Sequence, residues 1–114
     1  MLTFNLKKVW FDKIKSGEKT HEYREVKPFW KNRLKKIFED KRYSCDICLD
    51  VADHRLDYTF KVKVPCVFVC GYVSKTNKDK RINGLIKKIS LYNGINTDLK
   101  INKDVYDIEF ELTP

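Results

Sequence analysis

The chain is 114 residues long, 42% hydrophobic and 35% charged, which fits one domain and reads as globular and not disordered. No stretch approaches the roughly 18 consecutive apolar residues of a bilayer span. Met1-Leu-Thr-Phe-Asn-Leu6 lacks the basic start and apolar run of a secretory leader, so a cytoplasmic protein is expected.

The net charge of +8 is uneven. Residues 1–43 carry 13 Lys/Arg against 6 Asp/Glu, and residues 44–114 carry 11 against 10. A cationic half attracts polyanions, of which RNA is the commonest, although it also serves plain solubility.

Leu2, Phe4 and Leu6 alternate with polar residues, which predicts a strand. A short helix follows over 7–16. Trp10 and Ile14 stand four apart, and Gly17 sits where a helix-stopping glycine belongs. Residues 19–25 read as extended, with Thr20, Glu22 and Arg24 on one side and Lys19, His21 and Tyr23 on the other. Pro28 opens a second helix over 28–38. Its stripe is Trp30, Leu34, Ile37 and Phe38, and its basic face carries Lys31, Arg33, Lys35 and Lys36.

Residues 40–57 show no clear period. Tyr58, Phe60, Val62 and Val64 alternate as a strand that Pro65 is expected to interrupt, and Cys66–Val73 reads as a second, buried strand. Thr76–Lys80 reads as a turn. Residues 82–92 fit either helix or strand by pattern. Asn93-Gly94 marks a loop, and Tyr106, Ile108, Phe110 and Leu112 define a last strand. Early helices and late strands predict an α+β domain with an antiparallel sheet, and closure into a small barrel would hide its edges.

The four cysteines do not make a metal site on this reading. Cys66 and Cys70, four apart on a strand, stand about 13 Å from one another, too far for one tetrahedral zinc. They are expected in the core, with Cys45 and Cys48 on a loop. His21 and His54 have no metal-ligand spacing and read as structural. No metal and no cofactor are expected.

The densest set of chemistry-bearing residues is Gly17-Glu-Lys-Thr-His-Glu-Tyr-Arg24. Lys19 and Arg24 are donors only, suited to phosphate or base acceptors, and Glu22 can accept from an exocyclic amine or act as a general base. Lys19, Glu22 and Arg24 are thus the candidates for catalysis, if any occurs. The plainer alternative is an internal ion network. Tyr23, Trp30 and Tyr72 are large enough to stack on bases, with Trp30 also heading the core stripe.

Phe11–Arg24 resembles the signature of the ASCH domain family, an apolar helix followed by G-x-K-T-x-E-x-R. Lys27-Pro-Phe-Trp-Lys-Asn-Arg-Leu34 is similar to the K-P-Y-W-x-x-R-L continuation of a phage and bacterial subfamily, and Cys70–Lys75 looks like its N-G-Y-S-K segment. The resemblance implies one domain over 1–114, with a small PUA-like antiparallel β-barrel and flanking helices. It also implies a strand over 81–91 and an insertion within 40–63.

The resemblance further implies an RNA or nucleotide partner held in a basic cleft by Lys19, Thr20, Glu22, Tyr23, Arg24, Arg33, Tyr72 and Lys75. In the family's amidohydrolase branch a threonine nucleophile stands two residues before the signature arginine. Glu22 stands there in this chain, so that acyl chemistry is not expected. Three functions stay open at this point: an RNA-binding module, an RNA- or nucleoside-acting hydrolase, and a protein-interaction domain.

Overall fold

The structure is a computed structural model describing residues 1–71 and 78–113. Strand β1 (Leu2–Leu6) leads into helix α1 (Lys8–Lys15), strand β2 (His21–Glu25) and helix α2 (Pro28–Phe38). Strands β3 (Cys45–Asp50), β4 (Arg55–Cys70), β5 (Arg81–Asn93) and β6 (Asp104–Leu112) complete one curled sheet, in the order β1-β4-β5-β6-β2 with β3 beside β4. Two helices against this half-barrel give the α+β fold expected.

Local chemistry accounts for the helix ends. Gly17 adopts φ +83° just beyond α1, a conformation that costs a residue with a Cβ far more. Pro28 occupies the first turn of α2, where its missing N–H is no loss. Of the α2 stripe, Leu34 is fully buried, while Trp30, Ile37 and Phe38 pack partly buried against the core.

The core follows the strand alternation. Leu2, Phe4 and Leu6 point inward with Phe68, Ile86, Ile89, Ile108 and Phe110. Phe4 stacks on Trp30 at 5.2 Å and on Phe68 at 5.4 Å, and Phe68 meets Phe110 at 4.4 Å between ring centroids. These contacts tie β1 and α2 to the middle of the sheet.

Several local readings need revision. Strand β4 is continuous through Pro65, which stands in register with Leu85. The irregularity comes earlier, between Thr59 and Val64, where Lys61 and Val62 donate their N–H groups to Ser44 and Tyr43. Cys45 and Cys48 lie on a strand and not on a loop. Three residues apart, they point to opposite faces. Cys66 is buried as expected, but Cys70 is only half-buried.

The 82–92 segment is strand, as the resemblance implied. The unclear stretch after residue 40 supplies β3 and the start of β4, a hairpin with Ile47 and Leu49 exposed. Four of the five strand pairings among the described residues are antiparallel, and β1 runs parallel to β4. Such a pairing needs a long connection, which α1, β2, α2 and β3 provide. Of the expected turn over 76–80, Lys78–Lys80 form a 3₁₀ turn, and 76–77 lie outside the described residues.

Candidate functional site

No strand pair among the described residues joins β1 to β2, the two ends of the sheet order. Arg24 crosses this seam. Its Nη2 donates to the Asn5 carbonyl at 3.2 Å, and its Nη1 donates to the Tyr23 carbonyl at 3.3 Å. The guanidinium also lies 5.5 Å from the Phe4 ring centroid and 5.2 Å from that of Trp30. Trp30 is therefore engaged with the core and with Arg24. The desolvation of Arg24 pulls its pKa below the ordinary arginine value, against the neighbouring Glu22, which raises it.

Glu22 faces inward on β2 and is 5% exposed. Its Oε1 accepts from the Tyr23 N–H at 2.9 Å and lies 3.8 Å from Lys19 Nζ. Its Oε2 is 3.4 Å from Arg24 Nη1 but has no hydrogen-bond partner among the described residues.

Lys19 lies just before β2, after the turn at Gly17, so its side chain need not follow the strand alternation. It reaches Glu22 even though the pattern put the two on opposite sides. Its Nζ donates to Asp98 at 2.6 Å and lies 5.2 Å from the Trp10 ring and 5.1 Å from the Tyr23 ring. The ammonium is thus already compensated. Lys19 and Arg24 against Glu22 and Asp98 leave the floor of the cleft balanced, where sequence reading expected it to be basic.

Three adjoining cavities follow the seam. One of about 270 Å³ is lined by Lys13, Thr20 and His21 as well as Lys19. The next, about 280 Å³, shares Trp10, Lys19, Tyr23 and Asp98 with the first and adds Asn5, Glu22 and Arg24. The third, about 310 Å³, shares Asn5 and Arg24 with the second and ends at Phe29, Trp30 and Arg33. Phe29 is 57% exposed, with the Arg33 guanidinium 4.2 Å from its ring centroid.

The fold therefore gathers Lys19, Thr20, Glu22, Tyr23, Arg24 and Arg33 along one groove. Tyr72 and Lys75 lie outside the described residues.

Asp98, Trp10, Asn5 and Phe29 were not singled out from sequence as groove residues. Asp98 lies 79 positions from its partner Lys19, in a polar loop with no local signal. Phe29 was readable as an aromatic off the apolar stripe, beside a basic residue four positions on.

His21, which lines the first of these cavities, is held by carboxylates on β6. Its Nδ1 is 2.7 Å from buried Asp107, its Nε2 is 3.5 Å from Glu109, and the Tyr92 hydroxyl donates to Asp107 at 2.6 Å. Burial, followed by that Asp107 contact, pushes the Tyr92 phenol well above its ordinary pKa. No group of three or more His, Cys, Asp or Glu among the described residues is arranged to hold a metal ion. None of the described helices is long and apolar enough to cross a membrane.

A curled six-stranded half-barrel with two helices, and an ion-paired groove where its sheet fails to close, defines the class of small α+β barrel-like domains. The chain belongs to the ASCH domain family, whose family model matches residues 4–106. No curated protein and no solved structure matches the chain. The fold agrees with the PUA-like barrel that membership implies, and the family is in general associated with RNA binding.

Proposed function

We propose that this domain binds single-stranded RNA or a nucleotide along the β1–β2 seam. The observation that carries the reading is the chain of three adjoining cavities with donors, an acceptor and aromatic rings at intervals along it. Bases gain about 1–3 kcal/mol each from stacking on aromatic side chains, whatever their sequence. Tyr23, Trp10 and the exposed Phe29 supply such surfaces.

Exposed Lys7 and Arg33, with half-exposed Lys13, flank the groove and suit phosphates. They add the sequence-independent attraction that the balanced floor lacks. Recognition thus divides between a charged rim for the backbone and a polar floor for a base. Among the described residues, none in the groove form a nucleophile, base and orienting group around one reacting position, which favours binding over hydrolysis.

The test is a titration of labelled single-stranded RNA at several salt concentrations. We expect a log–log slope of about −0.7 per phosphate contact, with roughly three to six contacts for so small a surface. Arg33→Ala should weaken binding and make the slope shallower by about one contact. Absence of binding at low salt overturns the reading and promotes a protein-interaction role. Turnover of RNA or an acylated cytidine that Glu22→Gln abolishes promotes the hydrolase.

A further inference from the structure

Glu22 Oε2 is the one buried side-chain polar atom among the described residues that lacks a hydrogen-bond partner. Leaving a buried acceptor unmet is unfavourable, and more so when the group is charged. The ion pairs around Glu22 offset its charge without supplying the missing directed bond. Arg24 Nη1, 3.4 Å away, directs one N–H at the Tyr23 carbonyl and is paired with this oxygen by charge without a hydrogen bond, and Lys19 lies against the other oxygen. Glu22 lines the middle cavity of the seam, about 280 Å³, with Asn5, Tyr23 and Arg24. A buried acceptor left open on the wall of a cavity marks where a donor of a ligand belongs.

The neighbouring charges say what kind of donor. On the floor Lys19 and Arg24 are matched by Glu22 and Asp98, so a phosphate beside Glu22 would meet two carboxylates, and the remaining lining cation, Lys7, is exposed at the rim. A neutral donor meets no such penalty. The oxygen lies below the surface, and Glu22 Oε1 is already engaged by the Tyr23 N–H. The donor must therefore project from its ring and use one oxygen only. An exocyclic amino group does so, whereas the ring N–H of uracil is recessed between two carbonyl oxygens that would face the carboxylate. Beside the orphan oxygen the protein presents the Arg24 guanidinium, a donor only. The ligand atom next to its amino group must then be an acceptor.

We infer that Glu22 Oε2 takes the exocyclic amino group of a nucleobase, and that Arg24 reads a ring-nitrogen acceptor beside it, the edge that cytosine and adenine use in base pairing. This inference rests on the seam being a nucleotide-binding groove, and it assigns base selection there to Glu22. A site built to bond an amino group rejects an analogue lacking it more strongly than an apolar pocket rejects a missing methylene, because rejection leaves buried polar groups unmet.

The test follows amide chemical shifts of the full chain on titration with cytidine, adenosine, uridine and N4,N4-dimethylcytidine. The dimethyl analogue keeps the ring and its stacking area but has no amino hydrogen. Cytidine and adenosine should bind at least tenfold more tightly than uridine and the dimethyl analogue, with shifts at Glu22, Tyr23 and Arg24. Glu22→Gln presents an amide that can donate or accept, and should collapse the cytidine-to-uridine ratio to within about twofold. A thermal melt of that variant checks that it folds.

Equal binding of cytidine and its dimethyl analogue by the wild type overturns the inference without recourse to any variant. RNA binding at the rim with no nucleoside preference also overturns it, and leaves the proposed function standing. Absence of both RNA and nucleoside binding removes the proposed function itself.

Discussion

Arg24 Nη2 donates to the Asn5 carbonyl at 3.2 Å, a bond between the two strands at which the sheet order ends. One side chain thus does at the seam what a row of backbone hydrogen bonds does between paired strands. It also lies beside the stacked Phe4 and Trp30 rings and compensates the buried Glu22. We expect Arg24→Ala to destabilise the domain by about 3–5 kcal/mol, the usual loss when one partner of a buried ion pair is removed. Arg24→Lys keeps the charge but loses the planar fork, and should cost roughly half as much. Urea unfolding of the three proteins measures this. A midpoint unchanged in Arg24→Ala would mean that the seam does not depend on this residue.

Stability should fall steadily above pH 9. Burial pushes the Cys66 thiol up to about 12 from its ordinary 9.0. Burial also raises the Tyr23 and Tyr106 phenols, and raises Tyr92 with help from Asp107, from an ordinary 10.0. The unfolded chain releases these protons first, so above pH 9 it binds fewer protons than the folded chain. Their contribution to stability is full below the unfolded values and is lost as pH rises toward the folded ones. Cys66, the most buried of them, lowers stability by up to about 1.4 kcal/mol per pH unit in its titration window, and the three less buried phenols add less. Urea midpoints from pH 7.5 to 11 report the slope, and Cys66→Ala should make its early part shallower once its own cavity cost is subtracted. A midpoint independent of pH over that range would contradict the burial of these groups.

Legibility of the fold tracked how local the cause was. Helix 28–38 was readable because Pro28 and the Trp30, Leu34, Ile37, Phe38 stripe sit within the segment. Strand β6 was readable because its alternation continues to Leu112. Strand β5 resisted because its phase slips: the register shifts between Ile86 and Lys88, so buried Ile86 and Ile89 stand three apart. A β-bulge breaks the period of two that a strand reading relies on.

Strand β3 resisted for another reason. Apart from half-buried Cys45 it is exposed on both faces and held by pairing with β4, so it carries little inside-outside pattern. The parallel β1–β4 pairing leaves no mark in either segment alone. In the groove, the motif grouped Lys19, Glu22 and Arg24, but their charge balance depends on Asp98, which reaches them only through the tertiary fold.

The loop carrying Asp98 has its own support. After β5, Gly94 begins a 3₁₀ turn, and its N–H donates to the Lys103 carbonyl at 2.8 Å. A Cβ built at Gly94 would run into the Val105 side chain and stand 3.3 Å from the Ile101 carbonyl oxygen. Val105 is fully buried in β6 and has little room to give. We expect Gly94→Ala to destabilise the domain by about 1–3 kcal/mol, as overpacking does elsewhere. Gly17→Ala, with nothing near its Cβ, should be limited to the strain of its positive φ. Thermal melts of the two variants separate the effects. A Gly94→Ala protein as stable as the wild type would show that the turn relaxes freely away from β6.

Asp98 holds Lys19 at 2.6 Å, and its own side chain is 43% exposed at the groove. If RNA phosphates pass along this rim, Asp98 opposes them twice, through its own charge and by occupying the lysine. Asp98→Asn removes the negative charge and leaves an amide oxygen that can still accept a weaker bond from Lys19. We expect the variant to bind single-stranded RNA several-fold more tightly at low salt. Its log–log salt slope should be steeper by about 0.7 if the freed lysine gains one phosphate.

The Lys19 side chain is only 8% exposed against 43% for Asp98, so the amide must keep accepting from the lysine for the fold to hold, and a thermal melt of the variant checks that it does. Lys19→Ala in the same assay should not gain the extra slope, and combining it with Asp98→Asn should remove most of the increase. Side-by-side salt titrations of the wild type, both single variants and the double variant give the coupling directly. Weaker binding by Asp98→Asn with an unchanged melting temperature would show that Lys19 must be held by Asp98 to serve the groove. The lysine would then act as a fixed part of the floor, bracing Glu22 and the Trp10 and Tyr23 rings, and the phosphate contacts would belong to Lys7, Lys13 and Arg33 alone.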